Sequence, residues 1–176
     1  MSPSASFSTA PSAGMKRPLA RSLAAAAIAL AAAASAPARN VGLMVPVAAP
    51  LAAARSSDGV GDVSFAFGSA SARGADIVGG TVSVQGVASP LAEPHGFKPT
   101  DAEACGNALR DALKRLAAAA RSAGGHAVLG IVSTYNGNTI DDPLQVECRL
   151  GMSKVLVPLS GVIAKGLPPA AAGDHP

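Results

Sequence analysis

The chain has 176 residues, with 14 Lys and Arg against 11 Asp and Glu and a formal net charge of +3. Three of the cations, Lys16, Arg17 and Arg21, lie close to the N-terminus, and residues 37–176 carry equal numbers of basic and acidic side chains. Nucleic-acid binding needs a surplus of cations to neutralise phosphates, and a chain with no Trp and a single Tyr lacks the usual base-stacking platforms. We therefore expect no nucleic-acid partner.

Residues 1–36 have the three parts of a secretory signal peptide. A basic start at residues 15–21 precedes an apolar run over residues 23–33, and Ala34-Ser35-Ala36 forms a small-residue cleavage site; Met15 is an alternative start. The apolar run is much shorter than the ~20 residues of a membrane-spanning helix, and no cysteine near the cleavage site offers a lipid anchor. The pattern predicts a periplasmic or secreted protein that contacts the membrane only transiently, through its signal.

After the signal, the composition divides the chain into three parts. Residues 37–59 are rich in Ala, Pro and Ser and predict a flexible lead-in, in which residues 41–47 offer at most a short edge strand because proline is excluded from central strands. Residues 60–165 form a single domain in this interpretation. The Pro/Ala-rich residues 166–176 predict a disordered tail.

Within the domain, hydrophobic periodicity predicts two strands, one long helix and three further strands. The strands are expected at residues 62–67, 77–87, 127–135, 144–150 and 154–164, and the helix at residues 101–123. Strands joined by short connections favour an antiparallel sheet. The predicted fold is therefore α+β, with one long helix packed on a small antiparallel sheet of about four to five strands, in two layers.

Four local signals refine this prediction. Thr100 and Glu103 have the spacing of a capping box at the start of the helix. The pair Gly79-Gly80 suggests a bulge or a close backbone approach, and Pro158 implies an edge strand or a bulge in the last strand. Asn136-Gly137 is a favourable tight-turn dipeptide, but the polar residues 138–143 that follow it favour a longer loop.

Four segments carry a resemblance to a known family. They are residues 61–68 (GDVSFAFG), 101–116 (DAEACGNALRDALKRL), 124–135 (GGHAVLGIVSTY) and 146–148 (VEC). Together they resemble small exported bacterial proteins that are often labelled "excinuclease ATPase subunit", over roughly residues 60–165. The helix–Gly–strand segment is more remotely similar to the YbjQ family and to the outer-membrane sensor lipoprotein of the Rcs phosphorelay.

These resemblances imply a compact unit of helix on antiparallel sheet and, from the YbjQ family, a homo-oligomer. They imply no catalytic residues, and the lipid-attachment cysteine of the Rcs sensor is missing here. The ATPase label does not fit the residues, because a P-loop needs a glycine-rich loop ending in Gly-Lys-[Ser/Thr] to hold phosphates, and the sequence contains no such string.

Two cysteines in an exported chain suggest a disulfide, here between Cys105 near the start of the helix and Cys148 in the penultimate strand. The alternative is a redox pair, in which the helix N-terminus would lower the pKa of the Cys105 thiol and make it the attacking thiolate. The Cys-x-x-Cys spacing usual for that chemistry is absent. The structural disulfide is therefore the favoured interpretation.

The remaining candidates are weaker. Three scattered histidines, His95, His126 and His175, lack the clustering of metal ligands, and His126 has no partner nearby in sequence for acid–base work. The adjacent carboxylates Asp141 and Asp142 suit a calcium site or an acid–base pair, but beside Pro143 they more often form a solvated turn. We predict no catalytic residue, no metal site and no cofactor.

Two functions remain open. The first is a non-enzymatic envelope domain that binds or senses a partner, either an envelope protein or a small ligand. The second is a small periplasmic thiol-dependent or hydrolytic enzyme, which needs a titratable Cys105 thiol or a pocket that joins His126 to a carboxylate.

Overall fold

A computed structural model describes residues 40–91, 96 and 98–168. Within these ranges the chain forms seven strands, two α-helices and a short 3₁₀ helix at Ser69–Ala72. The strands are β1 (Val41–Pro46), β2 (Ser64–Phe67), β3 (Ile77–Ala88), β4 (Ala127–Tyr135), β5 (Asn138–Ile140), β6 (Gln145–Leu150) and β7 (Val155–Ala164), and the α-helices are α1 (Ala48–Ser57) and α2 (Asp101–Ser122). The predicted signal peptide and most of the predicted tail lie outside the described residues.

The strands form one sheet, and β7 pairs with three other strands in it. The order is β1-β6-β7-β4-β2, with β3 also on β7 and β5 on β4. A strand has two edges; β3 follows β7 along its length, so β4 and β6 share the other edge. All pairs are antiparallel except β2 with β4, which is parallel.

The predicted fold class is wrong in three respects. The sheet has seven strands instead of four to five, it is mixed instead of antiparallel, and there are two α-helices instead of one. The error about strand direction has a simple cause. Strands β2 and β3 are neighbours in sequence but not in space, because β3 crosses to the far edge of β7 and leaves β2 to pair in parallel with β4.

The predicted flexible lead-in is also wrong where the structure describes it, because residues 41–57 form β1 and α1. Strand β1 pairs with β6 alone among the described residues, so the suggestion of a short edge strand is correct. Helix α1 packs against α2 and buries Ala54. Tertiary packing orders this Ala/Pro-rich stretch, although its own sequence carries no clear periodicity.

Pro158 lies in a central strand, contrary to the expected edge or bulge. It pairs with Gln85 of β3, while on the other side β7 pairs with β6 at Leu156 and with β4 from Leu159 onward. Pro158 therefore falls where the second edge of β7 passes from one partner to the other. A residue without an N–H is tolerated there because neither β4 nor β6 has a residue paired with Pro158 on that side.

Helix α2 packs on one face of the sheet and buries a stripe of nine Ala, Leu and Cys residues, among them Leu109, Leu113 and Leu116. Its predicted capping box is present, since the Thr100 hydroxyl accepts from Glu103 N–H and the Glu103 carboxylate accepts from Thr100 N–H. Strand β3 crosses α2 at Gly86, where a Cβ atom would lie 2.0 Å from the carbonyl oxygen of Ala108. This contact sets how closely helix and sheet approach.

The predictions for Gly79-Gly80 and for Asn136-Gly137 have opposite outcomes. The register of β3 against β7 shifts between Ile77 and Thr81, which confirms the bulge expected at Gly79-Gly80. The longer loop expected after Tyr135 is wrong, because β4 and β5 are joined by the two-residue turn Asn136-Gly137. Both turn residues have positive φ, 49° and 79°, as a type I′ hairpin turn requires.

Candidate functional site

The predicted disulfide joins Cys105, in the second turn of α2, to Cys148 of β6, with the two Cα atoms 5.8 Å apart. Both residues are fully buried. The redox alternative needs an accessible thiolate, whereas here both sulfurs are bonded to each other inside the core. A structural disulfide is typical of an oxidising compartment outside the cytoplasm.

An apolar cleft lies beside this disulfide, between α1 and the first turns of α2, with a volume of about 260 Å³. One wall is Val45 and Pro46 at the end of β1 with Ala49 and Pro50 at the start of α1; the other is Ala102, Glu103 and Gly106 of α2. The walls approach closely, since a Cβ atom on Gly106 would meet Pro50 at 3.7 Å.

Glu103 is the one charged residue in the lining, and its carboxylate is already engaged. It accepts from the backbone N–H and the hydroxyl of Thr100, each at 2.8 Å. The hydrogen bond from the Thr100 N–H is the largest cause that lowers the pKa of Glu103 below its ordinary value. The carboxylate thus stays charged and capped at neutral pH, and the cleft is suited to an apolar group instead of a cation.

The two walls are connected through the disulfide. Cys105 precedes Gly106 in α2, and Cys148 stands opposite Leu43 of β1 in the β1–β6 register. The disulfide therefore links the first turns of α2 to β6, and backbone hydrogen bonds link β6 to β1. A cleft with walls held in this way loses little conformational entropy when it is filled.

His126 has neighbours that the sequence did not indicate. It is exposed at the start of β4, and its charge contributes, as the smallest of several causes, to a lowered pKa of Asp62. The main cause is the Arg121 guanidinium, which donates to the Asp62 carboxylate through Nε at 2.8 Å and also through Nη2, and holds that pKa at about 2. An acid–base pair needs a carboxylate free to exchange protons with the imidazole; this one is occupied by Arg121 on an open surface.

The adjacent carboxylates of Asp141 and Asp142 each accept hydrogen bonds from backbone N–H groups. Asp141 accepts from the Ser69 N–H at 2.8 Å and from the Ser69 hydroxyl, which ties the β5–β6 loop to the 3₁₀ helix. Asp142 accepts from the N–H groups of Leu144 and Gln145 at 2.8 and 3.1 Å, which closes the turn into β6. The solvated-turn interpretation describes both residues better than a calcium site.

No cluster of metal-ligating side chains occurs in the described part of the chain. Two of the three histidines considered as ligands, His95 and His175, lie outside the described residues. The sequence did not indicate the cleft, because its walls come from segments about fifty residues apart. The signal that was present is the pair of prolines Pro46 and Pro50, which bracket the turn from β1 into α1.

The opposite face of β1–β6 carries a compact polar group that the sequence also did not single out. Glu147, 9% exposed, forms an ion pair with Arg149 at 2.7 Å, and the Arg149 guanidinium lies 4.2 Å from the centroid of the Tyr135 ring. Both charged side chains extend over Gly42 of β1, since a Cβ atom there would lie 3.2 Å from Arg149 Nη1 and 3.3 Å from Glu147 Oε1. The missing side chain at Gly42 thus leaves room for this ion pair to lie across β1.

The comparisons with known proteins found no match among protein-family models, curated proteins or solved structures. Neither α-helix in the described ranges has the length and hydropathy needed to span a membrane.

Proposed function

We propose that this chain is an exported, non-enzymatic envelope module that binds another protein by taking one of its apolar side chains into the α1–α2 cleft. The observation that carries the proposal is the cleft itself, an apolar and rigidly framed concavity with its one carboxylate already capped. The buried disulfide and the predicted signal at residues 1–36 support export, and the exported module would act in the periplasm or outside the cell. The predicted resemblance to small exported bacterial proteins would give the same location.

The size of the cleft favours a protein partner over a free small molecule. Small-molecule sites usually measure roughly 300–1,000 Å³ and bury most of their ligand, whereas this cleft has about 260 Å³ and opens beside an edge strand. It accommodates one large apolar side chain of a partner more readily than a whole ligand. A buried apolar anchor of this kind is typical of the centre of a protein–protein interface.

The enzyme alternative has less support. Its thiol version needs a reactive Cys105, which is bonded to Cys148 and buried. Its hydrolytic version needs His126 and a carboxylate within one pocket, but His126 and Asp62 are exposed and Arg121 occupies the carboxylate. Alkylation of the unreduced mature protein with iodoacetamide separates the hypotheses: the binding module takes up no label, and stoichiometric labelling of Cys105 would favour the enzyme.

A photo-crosslinking experiment tests the cleft directly. A benzophenone side chain placed at Ala49, in the exported protein within intact cells, should give one discrete product whose attachment site on the partner is an apolar residue. The same side chain at Thr81, exposed on β3, is the matched control and should give none.

Ala102→Arg places an unpaired guanidinium in the cleft and should abolish the Ala49 product. No product, or a product that survives Ala102→Arg, would contradict the proposal.

A further inference from the structure

The outer edge of β1 has a defined set of free backbone groups. Val47 N–H donates to Leu144 O at 3.0 Å, in the same register that pairs β1 with β6. Hydrogen-bonded and non-hydrogen-bonded pairs alternate along an antiparallel ladder, so odd-numbered residues of β1 bond to β6 and even-numbered ones point outward. The placement of Pro46, which has no N–H, on the outward side agrees with this parity.

Gly42 and Met44 therefore direct their N–H and C=O groups away from β6, and no other strand among the described residues pairs with this edge. The strand is also uncharged and apolar, with Val41 51% exposed and Leu43 and Met44 each 37% exposed. Natural edge strands are usually protected by charges or by covering elements. Here neither protection is visible in the part of the chain that the structure describes.

One antiparallel register makes this edge complementary to itself. When Leu43 lies on a two-fold axis, Gly42 faces Met44 of a second copy and Met44 faces Gly42, so both hydrogen-bonded pairs have complete sets of donors and acceptors. Moving the axis to Met44 would place Gly42 opposite Pro46, which has no N–H, and would bring two Met44 side chains together. Of these two registers, the first gives Gly42 and Met44 complete sets of backbone partners.

The side chains favour the same register. Gly42 carries no side chain, and the Arg149 and Glu147 side chains lie over it, so the Met44 side chain of a second copy meets no side chain on Gly42 itself and packs against this ion pair. By symmetry the contact occurs twice. On the other face Leu43 meets Leu43, and Val41 meets Val45, so the contact is apolar and places no like charges opposite each other.

We propose that β1 pairs antiparallel with β1 of a second copy about a two-fold axis at Leu43, which joins two sheets into one continuous sheet. The interface is isologous, as expected for a closed dimer. It is formed by a short strand, so the dimer is weak and depends on concentration. This proposal does not rest on the α1–α2 cleft, and Ala102→Arg leaves it unaffected.

Engineered disulfides test the register. In this dimer the two residues at position 43 form a non-hydrogen-bonded pair about 4.5 Å apart at Cα, within the range a disulfide bridges. Leu43→Cys should therefore cross-link spontaneously, giving a dimer band on a non-reducing gel. The two residues at position 44 are diagonal neighbours roughly 7–8 Å apart, so Met44→Cys should cross-link at least tenfold more slowly.

Leu144→Cys, at a side chain 71% exposed outside the interface, reports random collision. Equal rates for Leu43→Cys and Leu144→Cys would overturn the dimer, and faster cross-linking of Met44→Cys would overturn the register. Peptide mapping confirms that the Cys105–Cys148 bond stays intact in each variant.

Sedimentation equilibrium of the unmodified mature protein gives a second measurement that needs no new cysteine. The average mass should rise from monomer towards dimer with concentration, and Met44→Lys should raise the dissociation constant at least tenfold because it replaces an apolar interface side chain by an ammonium close to the Arg149 guanidinium. Leu144→Lys is the matched control and should leave it unchanged. A strict monomer up to ~1 mM, the weak end of specific association, would refute the proposal.

Discussion

The beginning and the remainder of α2 are fastened to the rest of the molecule by different forces. The first two turns, residues 101–107, are held by the capping box and by the disulfide to β6, and the cleft beside them is apolar apart from the capped Glu103 carboxylate. The later turns are held by ion pairs, with Arg110 bound to Asp58 and Arg121 bound to Asp62 and to the Gly59 carbonyl. Both ion pairs fix the connection between α1 and β2.

The difference shows how a binding surface can be held rigid without surface ion pairs. Ion pairs hold well at neutral pH but weaken with salt and acid, and they place charges at the surface. A disulfide is insensitive to both and adds no charge, so the cleft stays apolar apart from the capped Glu103, and β1 carries no charged residue. The following experiments challenge this contrast, beginning with the largest expected effect.

Removal of the disulfide should weaken the first two turns of α2 most. The double variant Cys105→Ala with Cys148→Ala reopens a loop with a sequence separation of 43 residues, which in the chain-entropy model costs ~4 kcal/mol of unfolding free energy. Urea unfolding of the variant against the oxidised parent measures the loss. A loss below ~1 kcal/mol would mean that the ion pairs, and not the disulfide, hold α2.

Gly86→Ala tests the close approach between β3 and the middle of α2. The added methyl would lie 2.0 Å from the Ala108 carbonyl oxygen, so helix and strand must separate. We expect a loss of about 3 kcal/mol in the same unfolding assay, at the upper end for overpacking. Gly80→Ala on the same strand meets nothing within 4 Å and is the matched control. Equal effects of the two substitutions would contradict the described crossing.

Asp58→Asn tests the better-buried of the two ion pairs that hold the later turns of α2. The Asp58 carboxylate accepts from Arg110 Nε and Nη2, both at 2.7 Å, and this contact is the main cause of its lowered pKa. Loss of a charged bidentate contact should cost about 2 kcal/mol. Asp76→Asn removes an exposed partner of Lys165 and should cost under ~0.5 kcal/mol; a similar cost for both would show that burial of the Asp58–Arg110 pair adds nothing.

The smallest effect concerns acid and the exposed Arg121–Asp62 pair. The pKa of Asp62 is lowered from 3.8 to about 2 by Arg121, so its contribution is complete above the unfolded-state pKa and is lost as the pH falls through about 2. The stability difference between the parent and Arg121→Gln, measured by urea unfolding, should therefore be present at pH 6 and absent below pH ~2. Added salt should reduce it at pH 6. A difference that persists unchanged in strong acid would show that Arg121 acts through packing alone.

The sequence predicted the parts of the fold that depend on local chemistry. The capping box at Thr100 and Glu103, the stripe of α2 and the Cys105–Cys148 pair follow from spacing and residue type, and the structure contains all three. The parts it missed depend on distant contacts. Strand partners carry no local code, so the parallel β2–β4 pair was missed, and α1 becomes a helix through its packing on α2.

The candidate site likewise has a part that the sequence predicted and a part that it missed. The disulfide was predictable because two cysteines allow one pairing, whereas the cleft depends on the meeting of residues 45–50 with residues 102–106, which no periodicity reports. The edge of β1 was anticipated from its prolines. Its complementarity to a second copy required the register with β6, because only that register shows which backbone groups face outward.

The central place of β7 has a consequence for the biogenesis of the chain. Among the described strands β7 is the last in sequence, and it pairs with β3, β4 and β6, so the sheet cannot close until residues 155–164 have been synthesised. Folding of the described sheet is therefore delayed until β7 is available, however early the other strands emerge.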